Sequence, residues 1–235
     1  MRDNQGHGAI QMASSPCLLE QHAEDICLGP PPADNLALMN GLSRVFGVGL
    51  GGPDSHHPDA HLLDELAPLF HKTSVCAEAP LERHQRPWTQ VYLVQHGVVR
   101  LFRESPSGKI SIHHFFTEGA LVWPVFGRSR TPRNTLCLSA VTSCTLWVAD
   151  FHRFRSVIRS HSEGRWARFA LALTEELAEL ACMREYHKQT LCAQERYQLL
   201  LRDYPELVKR VPGWQLASWL GVVPATLSRL KKRSA

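Results

Sequence analysis

Hydrogen-bond donors and positive charges are concentrated near the C-terminal end of the sequence, between residues 226 and 233. An arginine such as Arg229 can donate two hydrogen bonds to O6 and N7 of guanine, which contributes roughly 1–3 kcal/mol of base discrimination. Thr226 and Ser228 carry hydroxyl groups suited to a phosphate or a base edge. The remaining cations are suited to phosphates, and they are Lys231, Lys232 and Arg233. Together these side chains predict a surface that binds double-stranded DNA.

The segment that contains these residues has the pattern of two short helices joined by a tight turn. Ala217 supplies the small side chain needed where two helices cross closely, and Gly221 tolerates the positive φ of a sharp turn. Pro224 suits the first position of the second helix. The expected scaffold residues are Leu216, Ala217, Leu220, Gly221, Val222, Leu227 and Leu230. Their offsets match a helix-turn-helix, whose second helix fits the major groove.

Charge is unevenly distributed, although the net charge is only +4. Residues 1–60 carry two basic and seven acidic side chains, whereas residues 188–235 carry nine basic and three acidic ones. A positive C-terminal segment favours a polyanionic partner, because bound cations displace condensed counterions from nucleic acid. A solvated charged surface has the same composition, so charge supports the DNA interpretation without establishing it.

A long helix is predicted at 163–188, immediately before the basic module. Its apolar positions alternate four and three residues apart, which is a heptad pattern. The residues expected to hold two chains together are Trp166, Ala170, Leu173, Leu177 and Leu180. The alternative is that this helix packs against the β-domain of its own chain. We favour a homodimer, because the pattern spans about seven turns between two modules.

Short strand patterns separated by turns occupy the middle of the chain. Residues 91–102 contain two of them, and the Ser-Pro-Ser-Gly sequence at 105–108 has the composition of a hairpin turn. Further strands are predicted at 109–116, 135–141 and 144–149. Because side chains alternate along a strand, one face of the first of these should carry Ile110, Ile112, His114 and Phe116. This pattern predicts an antiparallel β-roll of the jelly-roll type.

These features give an α+β fold with four segments. Residues 1–60 contain proline-rich and glycine-rich stretches and are expected to form a poorly ordered extension with a short helix near 35–46. Residues 61–160 should form the β-roll, which a helix over 60–71 introduces. Residues 161–190 should form the dimerisation helix, and residues 191–235 the helix-turn-helix domain.

The chain resembles the Crp/Fnr family of bacterial transcription regulators from about residue 60 to its end. The hairpin at 91–102 and the His-Phe-Phe sequence at 114–116 are similar to the β-roll of that family. The Arg-Asp-Tyr-Pro-Glu-Leu sequence at 202–207, followed by the segment 215–221, is similar to its DNA-binding half. The resemblance implies a cytoplasmic homodimer with a cyclic-nucleotide-binding-like β-roll. It also implies three further partners, namely double-stranded DNA, RNA polymerase and a small-molecule effector.

The effector implied by the resemblance is not cAMP. Family members that bind cyclic nucleotides hold the ribose with a glutamate, yet no acidic residue occurs between Gly119 and Ala149 in this sequence. Three arginines in this stretch are candidates for binding another anion, and they are Arg128, Arg130 and Arg133. The alternative is that they belong to an exposed basic loop.

The second helix of the predicted helix-turn-helix begins unusually. Val223 has no side-chain oxygen to cap the helix, and Ala225 lacks the carboxylate with which family members contact cytosine. These departures support an alternative function, in which the chain is a sensor or interaction module that has lost specific DNA binding.

No enzymatic, metal or cofactor site is expected. His113 and His114 are neighbours on a strand, so they should point to opposite faces, and no metal-binding spacing accompanies them. The seven cysteines lack close pairs, and Cys17 and Cys27 do not have the spacing of an iron–sulfur ligand set. The sequence also lacks an apolar run of roughly 18–20 residues and a secretory signal, which predicts a cytoplasmic protein without a membrane span.

Overall fold

The computed structural model describes residues 35–46, 60–84, 86–124 and 136–234. Most of the predicted extension at 1–60 lies outside these residues. The three arginines of the predicted effector site, Arg128, Arg130 and Arg133, lie outside them as well. None of the helices in the described part of the chain combines the length and apolar composition needed to cross a membrane.

Two helices of the described residues precede the strands. Helix α1 spans Asn35–Phe46, and α2 spans Ala60–Leu66 and continues as a 3-10 turn at Ala67–Leu69. The helix predicted over 60–71 is therefore shorter, and residue 71 already belongs to a strand. Leu38 and Leu42 of α1 are fully buried. The short helix expected near 35–46 is therefore present, and its buried leucines make it part of the core.

In the described part of the chain, eight strands form two four-stranded antiparallel sheets. The strands are β1 (His71–Val75), β2 (Pro80–Glu82), β3 (Gln90–His96), β4 (Val99–Glu104), β5 (Ile110–Phe116), β6 (Leu121–Val122), β7 (Leu136–Ala140) and β8 (Cys144–Asp150). The first sheet has the order β1-β8-β3-β6, and the second has the order β2-β7-β4-β5. Apolar side chains of both sheets face each other in an inner cluster that includes Val94, Leu138 and Leu146. The predicted antiparallel β-roll is confirmed.

Six helices follow the roll. They are α3 (Phe151–His161), α4 (Glu163–Thr190), α5 (Ala193–Asp203), α6 (Pro205–Arg210), α7 (Gly213–Leu220) and α8 (Pro224–Ser234). The carboxylate of Asp150 caps α3 by accepting a hydrogen bond from the Arg153 N–H at 2.9 Å. The hydroxyl of Ser162 caps α4 by accepting one from the Gly164 N–H at 3.1 Å. These caps separate α3 from α4 at a single extended residue, Ser162.

Helices cover the outer face of each sheet. The outer face of the first sheet packs against α1, α2, α3 and the beginning of α4, around buried residues such as Leu93, Phe154 and Trp166. The outer face of the second sheet packs against α5 to α8, around residues such as Phe115 and Leu216. The roll and the C-terminal helices therefore share one apolar cluster within a chain.

A β-bulge changes the alternation expected along β5. Leu101 pairs with His114 and Phe102 pairs with Ile112, which leaves His113 as an extra residue opposite β4. Ile112 consequently packs toward the C-terminal helices, whereas the His114 ring contacts Phe116 with centroids 4.7 Å apart. The expectation that Ile110, Ile112, His114 and Phe116 share one face was wrong, because the bulge reverses the facing after Ile112.

The heptad positions of α4 face the roll of the same chain. Trp166 is only 7% exposed and packs edge-to-face on Trp123, with ring centroids 5.4 Å apart. Ala170 and Leu173 pack against the same helical cluster, and Leu177 packs against the inner cluster of the roll. This packing corresponds to the alternative interpretation of the pattern. Apolar side chains that remain exposed on α4 are Leu171, Leu180, Met183 and Tyr186.

Candidate nucleic-acid interface

The residues predicted to form the helix-turn-helix scaffold come together at the crossing of α7 and α8. Val222 is half-buried, and its N–H donates to the Ala217 carbonyl at 2.9 Å. Gly221 has φ 71° and ψ 34°, so the turn requires the left-handed conformation that glycine adopts at little cost. The buried members of the scaffold are Leu216, Ala217, Leu220, Leu227 and Leu230.

The opposite face of α8 carries the predicted DNA-binding side chains. Ser228, Arg229, Lys232 and Arg233 are exposed, while Thr226 and Lys231 are half-buried. The helix contains four basic residues and no acidic residue. Arg229 donates a long hydrogen bond of 3.4 Å to the carbonyl of Ala225 and has no ion pair with a described residue. Its charge therefore remains available to an external anion.

The N-terminal end of α8 is apolar and open. Val223 is 62% exposed, and Pro224 and Ala225 are exposed beside it. The Thr226 N–H is bonded to the carbonyl of Val223 at 2.9 Å, so backbone rather than side-chain oxygen closes this turn. In a major groove, small apolar side chains at this position would meet thymine methyl groups rather than the amino group of cytosine.

Polar contacts attach this module to the roll at positions that the sequence did not indicate. The Arg210 guanidinium donates to both carboxylate oxygens of Glu118, at 2.7 and 2.9 Å. The pKa of Glu118 is lowered to about 2, chiefly because Arg210 bonds its ionised form. The carboxylate of Glu118 also accepts a hydrogen bond from the Gly97 N–H at 2.9 Å. This ion pair joins residues 92 positions apart, for which no local pattern exists in the sequence.

Helix α7 also bonds to the backbone and side chains of the roll. The Ser218 hydroxyl donates to the Ile110 carbonyl at 3.1 Å and accepts from the Ile112 N–H at 3.3 Å. The buried Gln215 amide donates to Glu78 at 3.1 Å. Glu78 in turn accepts from the buried guanidinium of Arg100 at 2.7 Å. The first helix of the helix-turn-helix is thus held by the sheet edge, while α8 faces outward.

A cavity of about 370 Å³ lies between the roll, α4 and the C-terminal module. The apolar side chains in its wall include Leu101, Leu177, Leu180, Leu199 and Trp219. The cationic ones are Arg103, Arg184, Lys188 and Arg196, and the single acidic one, Asp203, is paired with Arg202. The wall therefore combines an apolar surface with an excess of positive charge.

His113 and His114 both line this cavity, because the bulge places consecutive residues of β5 on the same side. The expectation that they point to opposite faces was wrong. The pKa of each is lowered to about 4, mainly because burial disfavours the charged ring. Nearby cations add to this effect, Arg103 before Arg184 for His113 and Arg184 for His114. Both rings are therefore neutral at pH 7. Nε2 of His113 is buried without a hydrogen-bond partner among the described residues.

Among the cavity cations, Arg103 and Lys188 are exposed, whereas Arg184 is half-buried. Its guanidinium forms no ion pair or hydrogen bond with a described residue, and burial lowers its pKa. Arg196, by contrast, donates to the carbonyls of Leu191 at 2.6 Å and Leu220 at 3.2 Å. Glu185 attracts the charge of Arg184, but a half-buried cation without a direct ion pair to a described residue is a costly arrangement that a bound anion would relieve.

Comparison with known proteins identifies the fold. No protein-family model and no curated protein matches the chain. Among solved structures, FixK2 from Bradyrhizobium japonicum has a TM-score of 0.58 at 18% identity, over 70% of this chain and 83% of that one. CLP from Xanthomonas campestris, a c-di-GMP-responsive global regulator, has a TM-score of 0.57 at 17% identity, over 74% and 91%.

A protein from Eubacterium rectale assigned to the Crp/Fnr family of transcriptional regulators has a TM-score of 0.59 at 12% identity, over 74% of this chain and 82% of that one. These neighbours are regulators of the Crp/Fnr type. The chain has the fold of these regulators, which confirms the resemblance at the level of the fold.

Proposed function

We propose that this chain is a DNA-binding transcription regulator of the Crp/Fnr type rather than an enzyme. The observation that supports this most strongly is the exposed, acid-free face of α8, with Arg229 unpaired, on a buried helix-turn-helix scaffold. A helix of this width fits the major groove, where Arg229 would bind guanine and Lys232 and Arg233 would bind phosphates. RNA polymerase is the expected protein partner at a promoter.

The proposed regulator is a homodimer in which two copies of α8 enter successive major grooves, roughly 34 Å apart. Because the heptad residues Trp166, Ala170, Leu173 and Leu177 pack against the roll of their own chain, we place the dimer contact on the outward side of α4. Leu171 and Tyr186 are exposed there, with exposed fractions of 57% and 56%. Burying such side chains against a second copy is favourable in water.

We place the effector site in the cavity between the roll, α4 and α5. The cations and apolar side chains of its wall favour an anion with an apolar or aromatic body. An occupant would touch Arg103 of the roll, Arg184 of α4 and Arg196 of α5 together. Its binding energy could therefore shift the orientation of the DNA-binding module relative to the roll.

The experiment that tests the regulator function is capture of genomic fragments by the purified protein at about 0.1–0.2 M salt, where binding through phosphates alone is weakened. We expect enrichment of a motif with two-fold symmetry. If nothing is enriched, the capture is repeated with cell extract, which supplies small molecules. Continued absence of a motif would favour the second candidate, a sensor or interaction module without specific DNA binding, to which Val223 and Ala225 point.

A further inference from the structure

Three metal-ligating side chains meet where α2 lies against the end of α3, on the opposite side of the roll from the DNA-binding module's helices. His61 and Glu65 are one turn apart on α2, and His161 is the last residue of α3. Nδ1 of His61 lies 3.0 Å from one oxygen of Glu65, and Nε2 of His161 lies 3.1 Å from the other. Both imidazoles therefore approach the same carboxylate, from two different helices.

The spacing of the donor atoms is close to that of a metal ligand set. The ligand atoms of the three residues all lie within 4.8 Å of one another. Zinc bonds to histidine nitrogen and carboxylate oxygen of about 2.0–2.2 Å place tetrahedral ligands roughly 3.4 Å apart. Small rotations of exposed side chains would therefore be enough to bring the donors around one ion. Among the described residues, no other group of three such side chains is so closely placed.

The chemistry of the donors selects the kind of ion. Two imidazole nitrogens and one carboxylate oxygen suit zinc and neighbouring divalent transition metals, whereas calcium and magnesium prefer oxygen ligands alone. His61 is 81% exposed, so water has free access to a fourth coordination position. We propose that His61, Glu65 and His161 form a binding site for a divalent transition metal of the zinc class. This proposal departs from the expectation of a chain without metal.

The position of the site indicates what an ion would do there. His161 directly precedes Ser162, the residue that caps α4. An ion bound to both helices would fix α2 to the junction from which α4 starts. Because metal ligands from separate helices bind together only in the folded state, the ion would add its binding free energy to the stability of the fold.

The test compares metal binding by the full-length protein and its variants. The variants are Glu65→Gln and His161→Gln, and the matched control is His152→Gln, an exposed histidine on α3 outside the site. A second control is the double variant His56→Gln, His57→Gln, which removes a histidine pair that precedes α2 in the sequence. It shows how much of the zinc binding is due to that pair. Zinc affinity is measured by competition with a chromogenic chelator, and Co²⁺ absorption in the visible range reports the ligand geometry.

We expect one zinc ion per wild-type chain and a rise of the Tm with added zinc. Glu65→Gln and His161→Gln should weaken this binding by about tenfold or more, with the Co²⁺ bands lost, whereas both controls keep them. Circular dichroism without metal verifies that each variant is folded. Equal zinc affinity in wild type, Glu65→Gln and His161→Gln, or no affinity in wild type, would overturn the proposal. Should His161→Gln fail to fold, Glu65→Gln and the Co²⁺ spectrum of the wild type decide the question.

Discussion

Glu118 in the turn after β5 and Arg210 at the end of α6 form a two-hydrogen-bond ion pair that joins the β-roll to the C-terminal helices. The pair lies beside the larger apolar contact between α7 and β5, around Phe115 and Trp219, whose ring centroids are 5.7 Å apart. The position of the helix-turn-helix is therefore fixed by specific polar contacts in addition to apolar burial. In a regulator, such contacts would determine how easily the module turns.

The first prediction concerns the contribution of this ion pair to stability. Glu118→Gln should lower the free energy of unfolding at pH 7 by roughly 0.5–1 kcal/mol, a modest amount because both side chains are partly exposed. Since the pKa of Glu118 falls from 4.5 to about 2 on folding, its stabilisation is fully present above pH 4.5 and disappears as the pH falls toward 2.

Urea unfolding at pH 7 and at pH 2 measures this effect. The free energy of unfolding should differ between wild type and Glu118→Gln at pH 7, and this difference should be largely absent at pH 2. Glu206→Gln is the matched control, because Glu206 forms an exposed pair with Lys209 inside α6, and it should change little. A difference that is the same at both pH values would contradict the assigned origin of the stabilisation.

The second prediction concerns the turn between α7 and α8. Gly221→Ala should destabilise the fold by about 1–2 kcal/mol, because alanine is strained at φ 71°. Crowding adds little, since the new Cβ would lie 3.5 Å from Cε of Lys188. Gly164→Ala in α4 is the control, and it should be neutral or stabilising by up to about 1 kcal/mol. Thermal unfolding measures the change in stability that each variant causes. Equal changes for Gly221→Ala and Gly164→Ala would contradict the prediction.

The third prediction concerns the cavity cation Arg184. Arg184→Met should raise the stability of the unliganded protein, because it removes a half-buried charge that forms no ion pair or hydrogen bond with a described residue. It should also weaken binding of the fluorescent anion anilinonaphthalene sulfonate about tenfold, which matches the roughly 1.5 kcal/mol value of a hydrogen bond to a charged group. Fluorescence titration measures this affinity.

Arg168→Met is the matched control for the cavity, because Arg168 is an exposed arginine on the same helix. It should leave both stability and dye affinity nearly unchanged. If the two variants bind the dye equally well, Arg184 does not contact it and the effector site is misplaced.

The fourth prediction concerns the outward side of α4. Leu171→Glu should shift the protein from dimer to monomer in sedimentation equilibrium, because it places a charge in the proposed contact. Leu36→Glu on α1 is the control, since Leu36 is also an exposed leucine, at 66%, and lies on a different helix. A wild-type protein that is monomeric at all concentrations, or a Leu171→Glu variant that remains dimeric, would contradict the proposed dimer surface.

The local features of the fold could be predicted from the sequence, because they depend on neighbouring residues. The small residue Ala217 and the turn residue Gly221 indicated two crossing helices, and the structure places both where those roles require. Pro224, which suited the first position of the second helix, is the first residue of α8. Turn and cap chemistry act over a few residues, so a single sequence contains them.

The features that the sequence did not indicate depend on long-range packing. The extra residue at His113 could not be identified, because a bulge is defined by the partner strand. The heptad pattern of α4 gave the apolar face of the helix correctly, but Trp166 and Leu173 meet the roll of their own chain. An apolar helix face indicates that other apolar residues pack against it. Periodicity alone does not show whether those residues belong to a second chain or to the same chain.

Binding of Arg229→Ala to the captured motif shows whether α8 recognises DNA bases. The variant should bind the motif with a free energy weaker by roughly 1–3 kcal/mol, and it should no longer prefer guanine at one position of the motif. Its binding to unrelated DNA should weaken far less. Lys209→Ala, which changes an exposed cation of α6, should retain the preference. A variant at Arg229 that binds the motif as tightly and as selectively as wild type would contradict the account.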